Sequence, residues 1–144
     1  MKVIFLDVDG VLNKLDSPAM LPLSKSKLRL LRHIVSETGA RIVLSSSWRL
    51  FPHARFKLMR TLRYKGMRVW RSTPDFETEH PNSPYWRGHE IEAFLKDHPR
   101  IDKYVILDDN NRFLKDQLEF FVETDSYVGL TQELSDKAIG ILNA

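Results

Sequence analysis

The sequence predicts an α/β protein built on a central parallel sheet, and three stretches predict it. Val3-Ile4-Phe5-Leu6, the segment Ala40 to Leu44 and the segment Tyr104 to Leu107 are short apolar runs rich in β-branched and aromatic residues, as in strands buried on both faces. Each run opens directly into a polar cluster: Asp7-Val8-Asp9-Gly10, Ser45-Ser46-Ser47 and Asp108-Asp109. A strand–helix–strand unit makes parallel neighbours by a right-handed crossover. All three clusters then lie at the carboxyl edge of one sheet, where open α/β sheets bind their ligands.

The elements follow in order. At the end of the first strand two carboxylates stand one residue apart, and a bound divalent cation is the usual way to keep such a pair ionised. Asp and Gly also favour ordinary turns. An EF-hand loop begins with the same D-x-D, but Val11 and Leu12 occupy the positions of a third oxygen ligand and the glycine. Lys14 to Pro22 is irregular, with Pro18 and Pro22. Ser24 reads as an N-cap, Leu28, Leu31, Ile34 and Val35 follow at helical spacing, and Gly39 ends the helix. Pro52 starts a second helix with Phe56, Met59 and Leu62 on one face and Gly66 at its end. Met67 to Trp70 is a short third strand. Arg71 to Arg87 holds three prolines and no period, and loops of this length are functional or disordered. A third helix runs from about Gly88 to Asp97 with Ile91, Phe94 and Leu95 inward, stopped by Pro99. Phe120 to Val122 is the last strand, and Thr131 caps a final helix carrying Leu134, Ala138, Ile139 and Leu142.

At 144 residues the chain is expected to be a single domain spanning residues 1–144. Its 42% hydrophobic and 28% charged content is that of a globular protein, and no apolar run approaches the roughly 20 residues of a membrane span. The first apolar run is broken by Asp7 and is not a signal peptide. The absence of cysteine removes disulfides, thiolate metal sites and thiol nucleophiles, and the expected location is cytoplasmic. The charge is unevenly spread. Between Thr38 and Pro74 there are nine of the 22 basic residues, while all 19 acidic residues lie outside. A basic third on an otherwise acidic chain fits either a polyanionic partner or a solvated helix face. His33, His53, His80, His89 and His98 lack the paired spacing of a zinc site.

Asp7-Val8-Asp9-Gly10-Val11 resembles the first motif of the haloacid dehalogenase (HAD) superfamily of aspartate-nucleophile phosphatases. Ile42-Val43-Leu44-Ser45 is similar to its second motif and Val105-Ile106-Leu107-Asp108-Asp109 to its fourth. The third motif normally supplies a Lys; the best-placed cation here is Arg87, with Lys103 as the fallback. Arg keeps the charge and can grip phosphate through two donors, but it is not equivalent to Lys. The strings Phe5-Leu6-Asp7-Val8-Asp9-Gly10-Val11-Leu12-Asn13, Leu44-Ser45-Ser46-Ser47-Trp48-Arg49 and Arg87-Gly88-His89-Glu90-Ile91 resemble the small phosphatase-type domains of "Swiss army knife" RNA-repair proteins, with polynucleotide-end phosphatases as the broader comparison.

The resemblance implies a Rossmann-like three-layer α/β/α domain of about five parallel strands, with no large cap domain. It implies a magnesium-dependent phosphomonoester hydrolase. Asp7 would be the nucleophile, and Asp9 the general acid and base. The metal would be held by Asp7, the backbone carbonyl of Asp9 and Asp109, with Asp108 behind them or in a ligand's place. Ser45 and the backbone N–H groups around Val8, Asp9 and Ser46 would hold the phosphoryl oxygens, with Arg87 adding charge. Trp48 and Arg49 follow the serines and are candidates to contact substrate, as are Tyr85 and Trp86 before Arg87; packing is the alternative for each. An uncapped site and a basic helix favour phosphorylated RNA or DNA ends as substrate. The alternatives are a small-molecule phosphatase such as a nucleotidase, and a non-catalytic nucleic-acid-binding module.

Overall fold

The computed structural model describes residues 1–15, 23–77, 79 and 81–144. Pro18, Pro22 and His80 lie outside the described residues. Five strands, β1 (Lys2–Leu6), β2 (Arg41–Leu44), β3 (Val69–Ser72), β4 (Lys103–Asp108) and β5 (Phe121–Glu123), form one parallel sheet in the order β3-β2-β1-β4-β5. The four α-helices are α1 (Lys25–Thr38), α2 (Pro52–Tyr64), α3 (Trp86–Asp97) and α4 (Gln132–Asn143).

Alternation along the central strands makes the three layers. Ile4, Leu6, Ile42, Leu44, Val105 and Leu107 share one core with residues of α1 (Leu28, Leu31, Ile34), α2 (Leu58, Leu62) and α4 (Ala138, Leu142). Val3, Phe5, Val43 and Ile106 share the other core with Ile91 and Phe94 of α3 and with Phe113 and Phe121. His98 belongs to this second core, its ring stacked 4.0 Å from that of Phe94. Gly39 ends α1 at a left-handed φ of 68°, and the Thr131 hydroxyl caps α4 by accepting from the Leu134 N–H.

Three expectations about the elements need correction. On α2 the inward pair is Leu58 and Leu62, one turn apart, whereas Phe56 is 65% exposed and Met59 37%. β3 lies two residues later than expected, because Met67 packs into the turn before it and the edge strand runs on through Arg71 and Ser72. α3 begins at Trp86, which brings Arg87 into its first turn. Two 3-10 segments, Ser47–Leu50 and Lys115–Phe120, carried no clear signal in the sequence.

Register sets up the site. Leu6 pairs with both Leu44 and Leu107, so the next residues, Asp7, Ser45 and Asp108, stand side by side as the strands end. The ladder runs one step further, through the Asp7 N–H to Leu107 O and the Ser45 N–H to Leu6 O, each 3.0 Å. Among the described residues no inserted cap domain interrupts the sheet, and no helix is long and apolar enough to cross a membrane.

Candidate active site

Carboxylate oxygens of Asp7, Asp108 and Asp109 lie within 4.8 Å of one another beyond the ends of β1 and β4. Burial pushes the Asp7 carboxyl up to about 8, helped by the nearby Asp108 charge and opposed by Arg87 and the Val8 N–H. Burial likewise raises Asp108 to about 6 against the pull of Arg112 and the Asn110 N–H. The Asp109 carboxylate is fixed by the Ser126 hydroxyl, which donates to its Oδ2 at 2.7 Å. Gly10 makes room for this group. A Cβ there would fall 2.6 Å from Asp109 Cγ, and its φ of +79° is itself a conformation that suits glycine.

Asp9 stands apart from the three. Its Oδ1 accepts from Asn13 Nδ2 and its Oδ2 from Trp48 Nε1, each at 2.9 Å, so both oxygens are held in place. Asn13 in turn accepts the Gly10 N–H at 2.9 Å. The expected share of Asp9 in a metal site is through its backbone carbonyl, and the side-chain cluster leaves that share untested. Asp108, expected behind the ligands or in a ligand's place, lies in the same cluster as Asp7 and Asp109.

The expected phosphate-binding residues divide into two groups. Ser45 is fully buried and, among the described residues, its hydroxyl has no hydrogen-bond partner. Arg87 is 2% exposed; its Nε and Nη1 are also without hydrogen-bond partners, though Nη1 lies 3.5 Å from Glu90 Oε1. Burial lowers its affinity for the proton, with Arg112 and Arg49 adding repulsion; a guanidinium nevertheless stays charged. Ser46 instead caps the 3-10 turn, its hydroxyl accepting from the Trp48 N–H at 3.1 Å. Arg49 faces inward. Its five N–H groups reach the carbonyls of Ser45, Ser46, Thr73 and Pro74 and Oε2 of Glu90, which leaves it no donor for a substrate. Lys103 is excluded as the third-motif cation: it opens β4, roughly 16 Å of strand from the carboxylates.

Three residues of the site were not anticipated: Glu90, Arg112 and Ser126. Glu90 is wholly buried between Arg49 and Arg87 and also accepts the Phe76 N–H at 2.9 Å, tying α3 to the two loops. Arg112 places Nη2 3.5 Å from Asp108 Oδ2, with its Nε unpartnered. Trp86, already a candidate substrate contact from the sequence, packs against two guanidinium groups, with Arg87 Cζ 4.6 Å and Arg112 Cζ 5.1 Å from its ring centroid. Glu90 and Arg112 had a signal, since each follows a site residue by three or four positions. Ser126 had none.

Eight buried side-chain polar atoms have no hydrogen-bond partner among the described residues. They belong to Ser45, Ser72, Thr73, Arg87, Glu90, Asp108 and Arg112, all at the carboxyl edge of the sheet or in the adjoining turns of α3 and the loop after β4. Buried polar groups are normally satisfied, so orphans gathered at one edge mark a place built to receive something polar. A cleft of about 460 Å³ opens there, lined by Asp7, Asp9, Asp109, Arg87 and Arg112 among others.

A parallel sheet with these carboxylates after its two central strands, facing a buried cation and a row of serines, defines a Rossmann-like domain of the haloacid dehalogenase class without a cap. More closely, the chain belongs to the family described as the HAD domain in Swiss Army Knife RNA repair proteins, whose profile matches residues 3–134. The family points to phosphatase-type chemistry, and the acidic cluster is one that can hold a metal ion. Neither a curated protein nor a solved structure matches the chain.

Proposed function

We propose that the chain is a magnesium-dependent phosphomonoesterase that works through an aspartyl-phosphate on Asp7 and acts on phosphorylated RNA or DNA ends. The observation that carries this reading is the carboxylate triad of Asp7, Asp108 and Asp109 set against the unpartnered donors of Arg87. Three clustered carboxylates, one with an unpartnered buried oxygen, suit a hard cation that takes oxygen ligands. Asp7, Asp108 and Asp109 would hold it. When bound, magnesium neutralises phosphoryl charge and lets one anion approach another.

In this reading an Asp7 oxygen attacks phosphorus while the phosphorus–ester oxygen bond breaks, and Asp9 gives its proton to the departing oxygen. Water then attacks the phosphoryl group on Asp7 and loses a proton to Asp9. Inorganic phosphate leaves and both carboxyl groups return to their starting state. Arg87 and the Ser45 hydroxyl donate to the phosphoryl oxygens, which replaces the partners they lack. The uncapped cleft and the RNA-repair family support a polynucleotide end as the substrate.

Phosphate release from p-nitrophenyl phosphate, with and without magnesium, tests the chemistry. The wild type is expected to turn over only with metal, and Asp7→Asn to be inactive. Phosphorylated oligonucleotides should then be better substrates than mononucleotides. Release from mononucleotides alone would replace the polynucleotide reading with a nucleotidase. No release from any of these esters would sink the hydrolase.

A further inference from the structure

The site leaves most of the basic stretch between Thr38 and Pro74 unused, and the structure sorts its seven arginines. Arg49 is saturated by protein acceptors, and Arg41 and Arg71 lie over the Trp70 ring, 5.1 and 5.3 Å from its centroid. Arg55, Arg60, Arg63 and Arg68 are exposed, and none makes an ion pair among the described residues. The same segment is unusual in a second way. Ten large hydrophobic side chains are exposed among the described residues, and five of them, Leu50, Phe51, Phe56, Met59 and Tyr64, fall within residues 50–64.

A merely solvated helix face would carry the charges without the aromatics. Phe56, Arg60 and Tyr64 succeed one another at four-residue spacing and so form a row along α2, with Tyr64 88% exposed. Beside the row a groove of about 480 Å³ runs between α2 and β3, lined by Phe56, Met59, Arg60, Arg63 and Arg68. α2 starts directly after the loop that follows β2, at the edge of the sheet that carries the carboxylates, and leads away from it over roughly 20 Å. Alternating cations and exposed aromatic faces suit a strand with unstacked bases, since a duplex offers no base face to a side chain.

We infer that the outer face of α2, with the start of β3, is a docking track for single-stranded nucleic acid. Arg60, Arg63 and Arg68 take backbone phosphates, and Phe56 and Tyr64 stack on bases. The inference rests on the polynucleotide reading of the site only in supplying the strand whose terminal phosphate reaches Asp7.

The test is binding, by fluorescence anisotropy, of a labelled single-stranded RNA that carries no terminal phosphate, at several salt concentrations. Such a probe has no group to hydrolyse, so the result is independent of whether the phosphatase reading holds. The wild type should bind with an affinity that falls as salt rises. Arg60→Gln combined with Arg63→Gln should reduce the slope of log affinity on log salt by about 1.4, at roughly 0.7 per phosphate contact on a single strand. Phe56→Ala combined with Tyr64→Ala should weaken binding by about tenfold or more and leave the slope unchanged. Absence of binding at low salt, or double variants that match the wild type, would overturn the inference. So would tighter binding of the matching duplex, or displacement of the RNA by polyglutamate at equal charge, which would point to an acidic protein instead.

Discussion

Arg49, in the 3-10 turn after β2, and Arg87, in the first turn of α3, converge on one carboxylate, Glu90, and both are buried. Their hydrogen bonding is opposite. Arg49 gives every donor to the protein, clamping the loop after β2 to the loop after β3, while Arg87 keeps two nitrogens unpartnered beside Asp7. Neither residue type nor burial separates a guanidinium that holds a fold from one with charge to spare. The accounting of donors does, because a buried polar group left unmatched costs free energy that only a ligand or a functional constraint recovers.

The sharpest way to break that comparison is to remove each cation in turn. Arg49→Met strands the Glu90 charge and four carbonyl groups, and should cost about 3–5 kcal/mol in chemical denaturation. Arg87→Met should cost much less stability while lowering phosphate turnover by about 10²–10³-fold, the loss typical of one transition-state donor. Equal destabilisation by the two substitutions, with turnover kept in Arg87→Met, would make Arg87 a second structural clamp.

The carboxylates across the cleft give the next largest effect. Asp7 holds its proton in the folded state to about pH 8, whereas the same carboxyl in the unfolded chain releases it near 3.8. Between those values the folded metal-free protein binds more protons than the unfolded chain, so its stability falls as pH rises. Each unit of displacement corresponds to about 1.4 kcal/mol. Denaturation midpoints of the metal-free protein should therefore drop steadily from pH 4 toward 8, with Asp108 adding to the slope below about 6. Magnesium should restore stability most at the upper end of that range, where the ligands give up their protons at least cost. A flat profile, or equal stabilisation by magnesium at pH 5 and pH 8, would contradict this account.

A smaller effect separates the two anchors of Asp9 from ordinary packing. Trp48→Phe keeps an aromatic ring, though a smaller one, and removes the N–H that reaches Asp9 Oδ2. If that bond positions the general acid, the substitution should slow alkyl phosphates by on the order of tenfold, a fraction of what proton transfer contributes, and spare aryl phosphates with good leaving groups. Equal slowing of both ester types would assign Trp48 to packing alone.

The strand ends were legible in the sequence for a local reason: a buried parallel strand is a continuous apolar run, and the residues that close it are adjacent in the chain. Asp7, Ser45 and Asp108 could be brought together from that pattern and the crossover rule. The contacts that aim these groups were not legible. Trp48 reaches Asp9 across 39 residues, Arg49 reaches Glu90 across 41, and Ser126 reaches Asp109 from a loop with no motif, so each depends on the assembled fold. The phase of α2 was hidden for another reason. Its core stripe is only Leu58 and Leu62, too narrow for apolar spacing to outweigh the exposed Phe56 and Met59.

The exposed face beside that narrow stripe gives the smallest expected effect and the one that bears on the rest of α2. Leu58→Ala opens the core and should cost about 2–5 kcal/mol. Phe56→Ala, two residues away, removes a larger side chain yet should change stability by no more than about 0.5 kcal/mol, because the ring is already in water and alanine is the better helix former. A large loss at Phe56 would mean that the ring packs on the protein and is not held outward for a partner. A neutral result leaves an exposed phenylalanine between Arg55 and Lys57 with no folding role, and the reason for its presence then lies in what the helix meets.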